Sequence, residues 1–272
     1  MVQKNFGIYG EDDAATRLYV EIGDSIIACW SITDNNDWLH SFELFEFGKD
    51  MSDYEEIFRQ TKLYSKLLSQ SYPDVKIILN NKDVVAVPGS FYREDSLNDY
   101  FLLETGAPAH GKVMKDIVPD YIVAYCIPET ILAAAERAFP KVSFSHKKTL
   151  LYNTDTQEYP KDALLQVAFY RNNCSVVVYQ QHAISLVQNF CYQTSEDVLY
   201  FLLNCMKQLN IENSDATVQV SGLIDKNSAM YGELYKYIAN LETDDLSADK
   251  LDKAVFEDYP LHYFSPFYKM VV

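Results

Sequence analysis

The stretch Arg17–Thr33, with the sequence RLYVEIGDSIIACWSIT, decides the predicted fold. Two runs of β-branched and aromatic residues flank the dipeptide Gly23-Asp24, a pattern typical of two strands joined by a tight turn. A third such run, Trp38–Phe47, follows the polar turn Asp34–Asp37. The sequence therefore predicts a three-stranded antiparallel meander.

A helix and a buried strand are predicted to follow this meander. Ser52 stands three residues before Glu55, a spacing that indicates a capping box at the start of a helix. Tyr72-Pro73 ends the helical periodicity, and the short apolar run Val75–Leu79 is typical of a buried strand.

The same order returns in the second half of the chain. Three strand patterns recur, at 163–170, 174–179 and 183–192. A capping box formed by Thr194 and Asp197 then predicts a helix, and residues 217–220 predict another buried strand. Because order and spacing repeat while residue identities do not, we predict an internal structural duplication.

The predicted domains are a first lobe at 1–92, an inserted α/β subdomain at 93–160 and a second lobe at 161–272. The insertion contains predicted helices at 97–104 and 129–139 and predicted strands at 112–118, 121–127 and 141–145. In the second lobe, a helix is predicted at 228–240 and an acidic linker at 241–253.

Composition excludes several classes of partner. The chain has 39 acidic and 23 basic residues, so its formal net charge of −16 repels nucleic-acid phosphates and anionic lipid heads. The apolar run Tyr121–Pro128 is far too short to span a bilayer, so no membrane insertion is expected. Met1–Asp13 does not resemble a secretory signal, and the cysteines form no CxxC pair. We expect a cytoplasmic protein with reduced thiols.

The order of elements resembles the actin-like ATPase fold, a ribonuclease H-like α/β architecture with two duplicated lobes around a small insertion. That superfamily includes actin, sugar kinases, large heat-shock chaperones, and bacterial cell-division and pilus-assembly relatives. More closely, the chain is similar to an uncharacterised bacterial family assigned to this fold, for which no function is established. The resembling segments are Arg17–Ile27, Lys76–Phe91, Tyr121–Pro140, and Val220–Leu223 followed by Ala229–Ile238.

The resemblance implies a phosphate loop at the first turn of each meander, with nucleotide between the lobes. Such loops need glycine for close approach of backbone amides and carboxylates to hold Mg²⁺ through water. Glu21, Gly23 and Asp24 match the first loop, and Gly222 keeps one glycine of the adenosine-binding pair. The second turn, 171–173, has the sequence Arg-Asn-Asn, with neither glycine nor acid. We therefore predict a vestigial nucleotide site and no cofactor.

Other catalytic patterns do not occur in the sequence. It contains no GxxxxGK[ST] loop, no GxGxxG and no HExxH, and Gly89-Ser90-Phe91 lacks the second glycine of a nucleophile elbow. His146 and His182 are interpreted as surface or partly buried histidines rather than ligands. No catalytic and no metal-ligating residue is predicted.

Three functions follow as hypotheses. The preferred one is a non-catalytic binding or scaffolding protein, a pseudo-ATPase whose protein partner carries a basic patch. The alternative is an ATPase or small-molecule kinase that uses ATP and Mg²⁺ at Glu21, Gly23 and Asp24 with an atypical second loop. The third is a small-ligand binder in the cleft between the lobes.

The aromatic-rich end of the chain allows two interpretations. Six aromatic residues lie between Phe256 and Tyr268, with Pro260 and Pro266 among them. We expect this segment to pack on the body of the protein. The other interpretation is an exposed surface for a protein partner, because tyrosine is favoured in interfaces.

Overall fold

The structure is a computed structural model that describes residues 1–10, 15–33, 37–48, 51, 53–152 and 163–271. The chain forms two compact units. The first unit contains Met1–Asn153 and Asp249–Phe256, and the second contains Thr154–Ala248 and Glu257–Val272.

The described part of the chain contains strands and α-helices with the following bounds. The strands are β1 (Gln3–Ile8), β2 (Ala15–Gly23), β3 (Ile26–Thr33), β4 (Leu39–Glu46), β5 (Asp74–Asn80), β6 (Val84–Pro88), β7 (Lys112–Val118), β8 (Tyr121–Ile127), β9 (Val142–His146), β10 (Ala163–Phe169), β11 (Asn173–Gln180), β12 (Ala183–Cys191), β13 (Ala216–Gly222) and β14 (Leu241–Thr243). The helices are α1 (Tyr54–Tyr64), α2 (Leu97–Thr105), α3 (Glu129–Ala138), α4 (Lys147–Tyr152), α5 (Ser195–Gln208), α6 (Ala229–Tyr237), α7 (Lys253–Phe256) and α8 (Ser265–Tyr268).

The first unit is built on a six-stranded sheet in the order β1-β4-β3-β2-β5-β9. Strand β3 is buried along almost its whole length, which explains why its apolar residues run continuously instead of alternating. Helices α1 and α3 contact each other, and their apolar side chains join those of the sheet in one core. Phe58 of α1 meets Phe139 edge-on, with ring centroids 6.1 Å apart.

The second unit is built on a five-stranded sheet in the order β12-β11-β10-β13-β14. Its core joins apolar residues of the sheet to Val198 and Leu202 of α5 and to Leu234 of α6. Thr194 and Asp197 form the predicted capping box at the start of α5. This local prediction is confirmed.

The predicted duplication is also confirmed. The strands β4-β3-β2-β5-β9 and β12-β11-β10-β13-β14 follow the same spatial order. Successive neighbours are antiparallel, antiparallel, parallel and parallel in both sheets. The repeat is longer than predicted, because β9 in the first unit and β14 in the second extend it by one strand.

A smaller antiparallel sheet, in the order β6-β8-β7, lies between β5 and α3 in the sequence. Helix α2 contacts β6, and Phe101 of this helix is buried with Val85, Ala124 and Cys126. This is the small insertion that the fold requires. The domain limits at 92/93 and 160/161 stay a prediction, and the second of them falls within 153–162, outside the described residues.

Strand β1 and the cap of α1 correct the sequence analysis. The strand was not predicted, because it is an edge strand with exposed and half-buried residues and no apolar run. It pairs with β4, and Lys4 places its Nζ atom 2.7 Å from the fully buried carboxylate of Glu43. The cap of α1 is Asp53, whose side chain accepts hydrogen bonds from two backbone N–H groups. Ser52 and residues 34–36 of the predicted turn lie outside the described residues.

The prediction of an acidic linker at 241–253 is wrong for its first three residues. Leu241–Thr243 form β14, which pairs in parallel with Val218–Val220 of β13. A strand of three residues is too short to produce a period-2 pattern, so the sequence could not reveal it.

The aromatic end of the chain is packed rather than exposed. Phe256, Phe264, Phe267 and Tyr268 are all buried. Pro266 does not prevent a helix here, because it lies in the first turn of α8, where proline is tolerated. The prediction of a packed segment is confirmed, and a partner surface made of these side chains is excluded.

The described part of the chain contains no disulfide bond. Its cysteines are free thiols, of which only Cys191 is exposed. No helix within the described ranges is long and apolar enough to cross a membrane.

Candidate functional site

The predicted site residues fall at the ends of parallel strands in the two units. Glu21 and Gly23 close β2 in the first unit, Asp24 lies in the turn that follows, and Gly222 closes β13 in the second. Ligands of α/β sheets bind beyond the carboxyl ends of parallel strands. Each end is therefore a candidate site within its own unit.

Glu21 lies in a buried polar cluster at the carboxyl ends of β2, β5 and β9. Its side chain is fully buried, and Asn80 at the end of β5 donates a hydrogen bond of 2.6 Å to Glu21 Oε1. Lys147, directly after β9, is 3% exposed and places its Nζ atom 3.8 Å from the same oxygen. A buried carboxylate and a buried ammonium thus compensate each other inside the first unit.

His146 stands beside this pair in one fixed protonation state. Its Nε2 atom lies 3.2 Å from the carbonyl oxygen of Asn81, while its Nδ1 atom accepts a hydrogen bond of 3.0 Å from the backbone N–H of Lys148. Burial, together with the charges of Lys148 and Lys147, lowers the pKa of His146 to about 3. Both ring nitrogens are engaged, so the imidazole is not available as a metal ligand or general base.

The low pKa of His146 predicts a loss of stability in acid. The unfolded histidine titrates near pH 6.5, so between about pH 6.5 and pH 3 the unfolded chain binds a proton that the folded chain does not. The contribution of His146 is present above pH 6.5 and is lost as the pH falls, with a slope of about 1.4 kcal/mol per pH unit. We expect His146→Gln and His146→Asn to reduce the pH dependence of the unfolding free energy by about one proton, measured by urea titrations between pH 4 and 7. Parallel curves for parent and variants would contradict this.

The turn after β2 forms a hairpin, as predicted. Ile22 pairs with Ile27 across the turn in the antiparallel ladder. Gly23 does not use the left-handed backbone region, and an added Cβ would lie 3.2 Å from Ile26 Cγ1. Asp24 is exposed. The burial of Tyr54 and the nearby charge of Asp24 raise the pKa of the Tyr54 hydroxyl. A role for this turn in phosphate binding stays a prediction.

The second unit has no polar counterpart of Glu21. Ile22–Ile27 and Phe169–Cys174 are the last residue pairs before the turn in each hairpin, so Phe169 corresponds to Ile22. Both side chains belong to the apolar cores of their own units. One residue earlier in the strand, Ala168 therefore takes the place of Glu21.

The structure of the second unit explains why residue 222 is a glycine. Its φ angle is +77°, and a Cβ atom added there would lie 2.3 Å from the carbonyl oxygen of Phe169. The same oxygen accepts a hydrogen bond of 2.9 Å from the N–H of Leu223. Only glycine fits where β13 approaches β10 this closely.

Aromatic side chains cover the end of β10. Tyr170 is 2% exposed, and its carbonyl oxygen accepts a hydrogen bond of 2.6 Å from the hydroxyl of Tyr192. Phe267 of α8 packs edge-on against Tyr170, with ring centroids 6.1 Å apart. The predicted second turn at Arg171–Asn173 thus follows an apolar, occupied strand end.

These two repeated sheets with a small inserted sheet define the actin-like ATPase fold, and solved structures support the assignment. A Bacteroides thetaiotaomicron VPI-5482 protein described as having an actin-like ATPase fold and unknown function superposes with a TM-score of 0.73. It is 17% identical, and the match covers 90% of this chain and 96% of that one. The PilM–PilN type IV pilus biogenesis complex gives a TM-score of 0.62 at 15% identity, covering 94% of this chain and 96% of the other.

The chain belongs to the family described as "Protein of unknown function (DUF3822)", whose match spans residues 11–241. Among curated proteins, none matches this sequence. The resemblance to an uncharacterised family with this fold is therefore confirmed.

The fold implies a nucleotide and Mg²⁺, but the residues present do not fit them. Glu21, the acid at the end of β2, already faces Lys147, and its counterpart in the second unit is Ala168. Within the described ranges, no three histidine, cysteine, aspartate or glutamate side chains are grouped to hold a metal ion.

Sequence analysis missed three residues of the buried cluster: Asn80, His146 and Lys147. His146 is neither at the surface nor partly exposed, as was predicted, but fully buried. A signal was present in the polar run His-Lys-Lys at 146–148, directly after the predicted strand at 141–145. Placing that run at the site required knowing that β9 pairs in parallel with β5.

Proposed function

We propose that this protein is a non-catalytic binding or scaffolding member of the actin-like superfamily that works without nucleotide. The observation that carries the proposal is the ion pair between Glu21 and Lys147. In a nucleotide-dependent member, a carboxylate at this strand end would be needed for Mg²⁺. Here the carboxylate has an internal counter-ion and is closed off from solvent.

The second unit supports the same proposal. Phosphate binding needs backbone amides that a ligand can approach closely, and therefore small residues in the loop. The strand end at Phe169 and Tyr170 is instead filled by aromatic rings.

We further propose that the function is to hold a protein partner. The similar PilM–PilN structure is by its description a complex of two proteins, and we extend that mode of action to this chain by analogy. The net charge of −16 favours a partner with a basic surface, because complementary charge speeds association and rejects acidic competitors. The buried side chains of Phe256, Phe264, Phe267 and Tyr268 are not available to this partner.

The proposal is tested by melting the protein with and without Mg-ATP. A ligand at 100 times its Kd stabilises the folded state by about 2.7 kcal/mol, which for a chain of this size raises Tm by roughly 5 °C or more. We expect millimolar Mg-ATP to shift Tm by less than about 1 °C and to yield no phosphate release above background.

The contrary result would be a shift of roughly 5 °C that needs Mg²⁺ and disappears in Gly23→Val. The matched control is Gly89→Val, because Gly89 lies in the turn after β6 of the small sheet and its added Cβ meets only Asp120 O at 3.7 Å. Loss of the shift in the first variant but not in the control would favour the alternative, an ATPase or kinase acting through Glu21, Gly23 and Asp24.

A further inference from the structure

We infer that Lys147 is a built-in cation: its ammonium group takes, at Glu21, the place of a divalent metal ion. The inference rests on the proposed function and explains how this strand end does without a ligand. It assigns Lys147 a role that no sequence motif indicates. The strand ends of the first unit are then held in one charged arrangement at all times.

Burial is the first argument. Glu21 is fully buried and Lys147 is 3% exposed, so neither charge is compensated by bulk water. A lone buried carboxylate is costly unless it is paired or coordinates a metal. Lys147 is the cation that the structure places beside this carboxylate.

Neighbouring charges make Lys147 the specific partner. His146 is neutral, because burial holds its pKa to about 3, so it contributes no positive charge to Glu21. Lys148 points to another acid, with its Nζ atom 3.7 Å from Glu104 Oε1. Of the residues 146–148, Lys147 is the one that forms an ion pair with Glu21.

Geometry is the second argument. Asn80 and Lys147 approach the same oxygen, Glu21 Oε1, at 2.6 Å and 3.8 Å. Asn80 ends β5, while Lys147 follows the end of β9, so the carboxylate of β2 joins three parallel strands at their carboxyl ends. A metal ion in such a position would join the same strands, which makes the lysine a functional replacement as well as an electrostatic one.

The test is metal rescue of a lysine deletion. Lys147→Ala removes the ammonium and leaves space beside an uncompensated carboxylate, so we expect Tm to fall by about 6–15 °C. Adding 10 mM Mg²⁺ or Ca²⁺ alone should recover at least a third of the loss, while the parent should shift by less than about 1 °C. Lys148→Ala is the matched control: its Tm should change little and should not respond to metal.

A second variant keeps the inference testable if Lys147→Ala melts too low to measure. The double variant Glu21→Gln with Lys147→Met removes both charges and should be more stable than Lys147→Met alone, with no response to metal. Three results would overturn the inference: Lys147→Ala melting within about 2 °C of the parent, a destabilised Lys147→Ala that neither cation rescues, or strictly additive effects in the double variant.

These outcomes are separable from failure of the proposed function. A parent protein that binds Mg-ATP overturns the proposed function, whatever the lysine variants do. If metal does not rescue Lys147→Ala and Mg-ATP does not shift the Tm of the parent, only the proposed role of Lys147 is overturned.

Discussion

Replacing Phe267 by alanine should lower the free energy of unfolding by about 3–5 kcal/mol, the usual cost of truncating a buried aromatic side chain. Phe267 is 1% exposed and packs edge-on against Tyr170, so the deletion leaves a cavity at the end of β10. For a chain of this size the loss corresponds to a fall in Tm of about 10 °C. Phe264, fully buried in the same segment, should behave in the same way.

Phe91→Ala provides the matched control for these two variants. The same side chain is truncated, but Phe91 is 73% exposed and lies outside the packed segment. Its unfolding free energy should stay within about 0.5 kcal/mol of the parent, measured by urea titration. If Phe267→Ala melted as close to the parent as Phe91→Ala does, the aromatic end would contribute no packing energy.

The second large effect is expected at Gly222. Alanine there must adopt a φ angle of +77° and would place its Cβ 2.3 Å from the carbonyl oxygen of Phe169. The backbone conformation alone costs about 1–2 kcal/mol, and the overlap with backbone adds to it, so we expect a total loss of about 3 kcal/mol or more.

Substitutions at two other glycines distinguish the cost of the backbone conformation from the cost of the steric overlap. Gly106 has a φ angle of +75° with open space around it, so Gly106→Ala should cost only the conformational part, about 1 kcal/mol. Gly232 lies within α6 with no atom near its added Cβ, so Gly232→Ala should stabilise the protein by about 0.5–1 kcal/mol. If Gly222→Ala cost no more than Gly106→Ala, the close approach of β13 to β10 would not be what selects glycine.

The Gly222 result matters for function as well as for stability. Sequence analysis assigned Gly222 to a vestigial adenosine-binding loop, whereas the structure supplies a backbone contact that requires glycine in the absence of any ligand. Gly222 therefore does not by itself indicate nucleotide binding. Gly23 differs from Gly222, because its hairpin turn does not use the left-handed region.

The candidate site could be predicted only in part. Glu21 was found because an acid two residues before a glycine turn is a local pattern. Its partner Lys147 has no local signature, since it follows a short strand far away in the sequence. Only the parallel pairing of β2 with β5, and of β5 with β9, brings the two side chains together.

The sequence by itself determined the order of strands and helices and the duplication, because these depend on residues close together in the chain. Runs of β-branched and aromatic residues mark the strands, and the Thr194–Asp197 pair marks the start of α5 through a contact within one helical turn. Tertiary structure decided the edge strand β1, the three-residue strand β14 and the pairing of Glu21 with Lys147. Each of these is stabilised by a partner distant in sequence, and the burial that makes the ion pair significant exists only after the strands have been brought side by side.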